Sequence, residues 1–207
     1  MGIPYYFSYI IKNYPSILIN RKSFTDPIHN FYLDSNSIIY DLFYEMEDLP
    51  TNLAFEFENI LIEKVISKIN FLIEFINPIN RVFIAFDGVA PIAKLEQQRS
   101  RRYKSNYQSK IKNNILSNYN EKSINKNWST CNITPGTHFM NKLNDKINNY
   151  YKSNNKVIFS GPNDPGEGEH KIFSFIRNNH FHCKESTLIY GLDADLIMLC
   201  LNHMKYC

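Results

Sequence analysis

Short apolar runs that close on an aspartate recur three times in this chain, and that recurrence limits the folds open to it. Phe31-Tyr-Leu33 closes on Asp34, Val82-Phe-Ile-Ala-Phe86 on Asp87, and Leu188-Ile-Tyr-Gly-Leu192 on Asp193. Such runs read as buried strands. The expected strands are Asn30 to Leu33, Val82 to Phe86, Lys156 to Phe159 and Thr187 to Gly191. Three of them are followed by helical patterns, which argues a parallel sheet covered on both faces. From Leu53 to Phe75, Phe57, Leu61, Val65, Ile69 and Leu72 recur at helical spacing, so a long helix is expected there. Thr134-Pro135 reads as an N-cap and first helical position, opening a helix from Gly136 to Tyr151. Alternating strands and helices give an α/β class, a mostly parallel sheet with helices on both faces.

In open α/β sheets, ligands bind beyond the carboxyl ends of the strands. Asp34, Asp87 and Asp193 all fall there. Close like charges repel, and each shifts toward its neutral form unless a cation compensates. Oxygen-only ligands point to Mg²⁺ or Mn²⁺ as that cation. The segment Gly161-Pro-Asn-Asp-Pro165-Gly-Glu167-Gly-Glu169-His170 adds two acids. In an extended segment Glu167 and Glu169 point the same way, and Gly166 and Gly168 allow close backbone approach. A helix N-terminus would favour the same glutamates through its dipole. Asp195 is a further acid, and taken alone it reads as the cap of a helix from Leu196 to His203. Two metals about 4 Å apart could activate water and stabilise the leaving oxygen of a phosphodiester. No Ser/His/Asp or Cys/His set stands beside these acids, and no GxxxxGK[ST] loop calls for a nucleotide cofactor.

A long basic helix follows Asp87-Gly-Val-Ala-Pro91. Its Lys94, Gln98, Arg101 and Arg102 lie at i, i+4, i+7 and i+8 and share one face. Three cations and an amide a few residues from a strand-end carboxylate suit a phosphate held beside a metal. Periodicity alone would equally allow a solvated face, and the acids tip the reading toward chemistry. The net charge of +3 does not by itself announce a nucleic-acid binder. With 207 residues, 43% of them hydrophobic, the chain can build one core of ordinary size. No domain boundary is visible, so residues 1–207 read as one domain. Positions 104–130, rich in Lys, Asn and Ser, read as a flexible basic insertion. No apolar run approaches the ~20 residues of a membrane span. Met1-Gly-Ile-Pro4 lacks the basic start and apolar core of a signal peptide, and Pro4 suits Gly2 myristoylation poorly. The chain is therefore expected to be intracellular, cytoplasmic in preference to nuclear, with reduced cysteines. His180, His182, Cys183, Cys200, His203 and Cys207 match no zinc spacing, and Cys200 reads as a buried thiol in an apolar run.

Five blocks, in order, resemble the N-terminal region of the Xrn family of 5′→3′ exoribonucleases. They are Met1-Gly-Ile-Pro4 with Tyr14-Pro15; Tyr32-Leu-Asp34-Ser-Asn36; Asp87 to Arg102; Asn132-Ile-Thr-Pro-Gly-Thr137 with Phe139-Met140; and Pro165-Gly-Glu-Gly-Glu-His-Lys171 with Tyr190 to Leu199. The resemblance implies a PIN-like domain of the FEN superfamily that degrades single-stranded, 5′-monophosphorylated RNA to mononucleotides. It implies that Asp34, Asp87, Glu167, Glu169, Asp193 and Asp195 are metal-site acids. Lys94, Gln98, Arg101 and Arg102 then form the 5′-phosphate pocket, and Asn36 and Tyr40 contact the RNA. Tyr40 stands where the family usually has a base-stacking His, and an aromatic ring can still stack. Ile92 replaces a basic residue common in the turn before Lys94. The family's region extends past Cys207, with at least one further metal-site Asp and a second region that closes the site. Other readings are a structure-specific DNA nuclease of the same superfamily and a weakly active or non-catalytic RNA 5′-end binder. Protein partners are left open.

Overall fold

A computed structural model of the chain describes residues 5–20, 26–46, 54–118, 128–179 and 184–206. Its four strands are β1 (Asn30–Asp34), β2 (Arg81–Ala85), β3 (Val157–Ser160) and β4 (Thr187–Tyr190). They form one sheet in the order β3-β2-β1-β4, and every pairing is parallel. The helices are α1 (Tyr6–Asn13), α2 (Asn36–Glu45), α3 (Ala54–Ile76), α4 (Ile92–Asn118), α5 (His138–Tyr151), α6 (Gly168–Asn178) and α7 (Asp195–His203).

Successive strand side chains point to opposite faces, and the two cores follow that alternation. Phe31, Leu33, Val82 and Ile84 pack with Ile38, Leu61, Val65 and Leu143 of α2, α3 and α5. Tyr32, Phe83 and Ala85 pack on the other face with Ile172, Phe173 and Ile176 of α6 and Leu196 of α7. The strand starts are tied together at the amino edge. There Glu185 accepts hydrogen bonds from Asn30 (2.9 Å), Asn80 (2.7 Å) and Arg81 (2.6 Å). Asn30 opens β1 and Arg81 opens β2, so this cluster fixes the register that aligns their far ends. The PIN-like α/β class is thereby met: a four-stranded parallel sheet with helices on both faces.

Three local expectations are corrected. The helix expected from Gly136 starts at His138, with Thr137 as its N-cap accepting from the Met140 amide at 3.4 Å. Gly136 has φ +87, a left-handed conformation that cannot sit inside a right-handed helix, so Thr134 to Gly136 form the turn before it. Cys200 is exposed rather than buried, because α7 covers the sheet next to edge strand β4 and buries only Leu196. The basic helix continues through Asn118 into the stretch read as flexible, as its Lys-, Arg- and Gln-rich sequence permits. Trp128 beyond it is buried among Phe43, Phe57 and Phe139. Positions 119–127, like His180, His182, Cys183 and Cys207, lie outside the described residues. Among the described elements α4 leaves the sheet edge and packs broadly against no other. Among the described residues, no helix is long and apolar enough to cross a membrane.

Candidate active site

The carboxyl edge of the sheet opens into a cavity of about 520 Å³. Its floor carries Asp34 at the end of β1, Asp87 just past β2, Glu167 and Glu169 at the start of α6, and Asp193 past β4. One wall is α2, through Asn36, Tyr40 and Tyr44. The other is α4, through Lys94, Gln98, Arg101 and Arg102. Five of the six acids expected from the sequence thus meet in one place, together with the whole expected phosphate face and both expected RNA contacts. Asp195 stands apart from the cavity lining as the first residue of α7. The residue before that helix is Ala194, and Asp195 donates its own amide to Asp193 Oδ1 at 3.1 Å. The cap expected of Asp195 is therefore supplied by Asp193, the acid two residues earlier.

Hydrogen bonds hold the floor in place. Asn36 Nδ2 donates to Asp87 Oδ2 at 2.6 Å, and the Asp87 amide donates back to Asn36 Oδ1 at 3.2 Å. The Gly168 amide donates to Asp87 Oδ1 at 2.7 Å. Both Asp87 oxygens are thus engaged. A Cβ on Gly168 would collide with Asp34 Oδ1, so only glycine lets α6 start this close to β1. The loop after β2 is clasped to the loop after β3 by Gly88 N–H to Gly166 O (2.8 Å) and Gly166 N–H to Val89 O (2.9 Å). Lys171, one turn into α6, donates Nζ to Phe86 O at 2.8 Å and to Gly161 O at 2.7 Å. One ammonium therefore ties the carboxyl ends of β2 and β3 to the helix that carries Glu169.

The acids are packed too closely to be comfortable as anions. Burial raises Asp34 to about 7, helped by the charges of Asp87, Glu169 and Asp193 and opposed by a backbone hydrogen bond from Asn36. Asp34 Oδ1 is buried and has no hydrogen-bond partner among the described residues. Burial also raises Asp87, against the Gly168 hydrogen bond and the cations Lys94 and Lys171, and it raises Glu169. Lys94 Nζ lies 2.6 Å from Glu167 Oε2. Its own burial works against the ammonium, but the Glu167 hydrogen bond and the surrounding acids outweigh it and raise its pKa.

An orphaned carboxylate oxygen amid mutually repelling acids fits a bound cation, and the oxygen-rich donor set suits a hard divalent one. His170 was not among the expected site residues. Its Nε2 lies 3.7 Å from Glu167 Oε2 and 3.8 Å from Glu169 Oε1, so the three could share one ion. Its position next to Glu169 was the available signal. Tyr44 was also missed, although it sits four residues, one helical turn, past Tyr40.

The family described as "XRN 5′-3′ exonuclease N-terminus" matches residues 1–206. A 5′-3′ exoribonuclease 1 of Saccharomyces cerevisiae is 39% identical over 217 residues, 98% of this chain and 14% of that protein. The 5′-3′ exoribonuclease 1 of Homo sapiens is 36% identical over 220 residues, 96% of this chain and 12% of that protein. A 5′-3′ exoribonuclease 2 of Debaryomyces hansenii is 34% identical over 245 residues, 96% of this chain and 24% of that protein. The chain thus spans a quarter or less of the length of these relatives.

Proposed function

The chain belongs to the XRN 5′-3′ exonuclease N-terminal family, and on that premise we propose that its cavity is a divalent-metal-dependent site for hydrolysing single-stranded, 5′-monophosphorylated RNA from the 5′ end. One observation carries the reading: five acids and a face of three cations and an amide, drawn from five separate stretches of the chain, line the same cavity. Asp34, Asp87, Glu167, Glu169 and Asp193 would hold Mg²⁺ or Mn²⁺, with His170 at the margin and Asp195 behind Asp193. When bound, such ions supply an activated water and stabilise the leaving oxygen of the scissile phosphate.

The chain's own residues do the rest. Asn36 and the Gly168 amide fix the Asp87 carboxylate, so it meets its ligand without reorganising. Gln98, Arg101 and Arg102 receive the terminal phosphate with Lys94. Lys94 is the link between the two halves, since its ammonium already rests on Glu167 while belonging to the α4 face. Tyr40 offers a ring to a base. A pocket closed by three cations and an amide favours a monophosphate over a bulkier triphosphate or cap.

The test is to incubate the chain with 5′-phosphorylated single-stranded RNA and Mg²⁺ and follow release of mononucleotides. Asp87→Ala should abolish release. Charge-assisted contacts are worth about 1.5–3 kcal/mol each, so Arg101→Ala should reduce the preference for 5′-phosphate over 5′-hydroxyl RNA by about tenfold or more. Release that survives Asp87→Ala and chelation would overturn the mechanism. DNA of the same sequence, digested in parallel, separates this reading from a structure-specific DNA nuclease.

A further inference from the structure

Asn36, Tyr40 and Tyr44 occur at i, i+4 and i+8 of α2, so they form one stripe along that helix. All three line the cavity. The stripe begins at the acids, because Asn36 is bonded to Asp87. It then climbs away from them, each step of four residues advancing about 6 Å. The facing wall climbs in parallel. On α4 the sequence runs from Lys94, on Glu167, to Gln98 and then to Arg101 and Arg102. The cavity is therefore a groove with an aromatic wall and a cationic wall, and acids at its base.

Tyr44 stands at the outer end of the aromatic wall, with 57% of its surface exposed. A solitary exposed tyrosine on a helix is ordinary, but this ring is braced. It meets Phe43 edge-on, with centroids 5.4 Å apart and planes at 66°. Phe43 is buried and packs in turn on Phe57 at 6.0 Å and Trp128 at 5.2 Å. The ring is thus supported from beneath by the aromatic core and left open toward the groove. Single-stranded nucleic acid is bound by such a combination, cations following the phosphates and aromatic faces receiving bases.

We infer that Tyr44 is a second base-stacking position, which with Tyr40 makes α2 a two-ring platform for the bound strand. This rests on the reading of the cavity as an RNA site. The role needs the ring and not the hydroxyl, and it needs a base on the strand.

Both requirements can be tested without turnover, in EDTA, by measuring binding of a fluorescent 5′-phosphorylated RNA oligonucleotide and of an abasic ribose-phosphate chain of the same length. Tyr44→Ala should weaken binding of the RNA by about tenfold, in keeping with the cost of deleting one stacking ring. Tyr44→Phe should bind as the native chain does, and the abasic strand should bind native chain and Tyr44→Ala alike. Native-like binding of RNA by Tyr44→Ala overturns the inference. So does an equal loss on RNA and abasic strand, which would mean Tyr44 supports the groove's shape, or a Phe variant as weak as the Ala variant. A native chain that binds neither strand would overturn the RNA site along with it, and the two failures are thereby told apart.

Discussion

Asp34 concentrates the conflict that the site is built around. Its carboxyl is raised from 3.8 to about 7 by burial and by neighbouring acids, and its Oδ1 has no hydrogen-bond partner among the described residues. A group whose folded pKa lies above its unfolded value contributes stability that is fully present below the unfolded pKa. That contribution is lost as pH rises through the folded pKa. The metal-free protein should therefore lose stability between about pH 4 and pH 7, and Asp87 and Glu169, raised in the same direction, should add to the loss. At 1.36 kcal/mol per pKa unit, Asp34→Asn should stabilise the metal-free chain by about 2–4 kcal/mol at pH 8 and hardly at all at pH 4. Denaturant melts of both proteins in EDTA at the two pH values check this. Equal differences at both would mean that Asp34 is not strained as an anion. Asp34 was legible in the sequence because it ends an apolar run. Its unpartnered oxygen was not, since that depends on Gly168, 134 positions later in the chain, starting α6 against it.

Among the elements, α6 does more than its sequence announces. Glu167 and Glu169 were readable from the flanking glycines, whereas nothing in the sequence assigned a role to Lys171. It is instead half-buried, its pKa lowered by burial and supported by Asp164 and Asp87, and it bonds two strand-end carbonyls. Hydrogen bonds to charged groups are worth about 1.5–3 kcal/mol, so Lys171→Met should cost about 2–4 kcal/mol of stability. In urea the midpoint should fall with an unchanged slope. A midpoint within error of the native chain would make Lys171 a bystander. The strands and α3 were legible almost to the residue, because burial leaves short apolar runs in the strands and apolar residues at helical spacing in α3. The start of α5 was not. Thr134-Pro135 and Thr137 are both credible openings, and the choice between them is made by the left-handed Gly136.

Across the whole molecule, charge is unevenly shared. α4 carries seven Lys and Arg against the single acid Glu96, on a chain whose net charge is only +3. Attraction for a polyanion is therefore local to the groove and its helix. If three cations of that helix meet the strand, the affinity for 5′-phosphorylated RNA should fall with salt, losing about 0.7 in log–log slope per phosphate neutralised. Arg102→Ala should flatten that slope by about 0.7, which fluorescence titrations over a range of KCl would show. An unchanged slope would take Arg102 off the phosphate path. The α/β class and the meeting of acids with cations were legible, since strand-end placement and helix periodicity are local facts. The light packing of α4 against the other described elements was not, because helix periodicity does not say how closely neighbouring elements approach. β1, at the centre, pairs on one side with a strand 51 residues later and on the other with a strand 157 residues later. A ribosome adding about 5–20 residues per second needs about 8–30 s to pass from Asp34 to Asp193. In the later part of that interval, once Asn118 has been added, the growing polypeptide carries its complete basic helix but an unfinished set of carboxylates. The meeting of Asp193 with the other acids therefore waits until β4 docks beside β1.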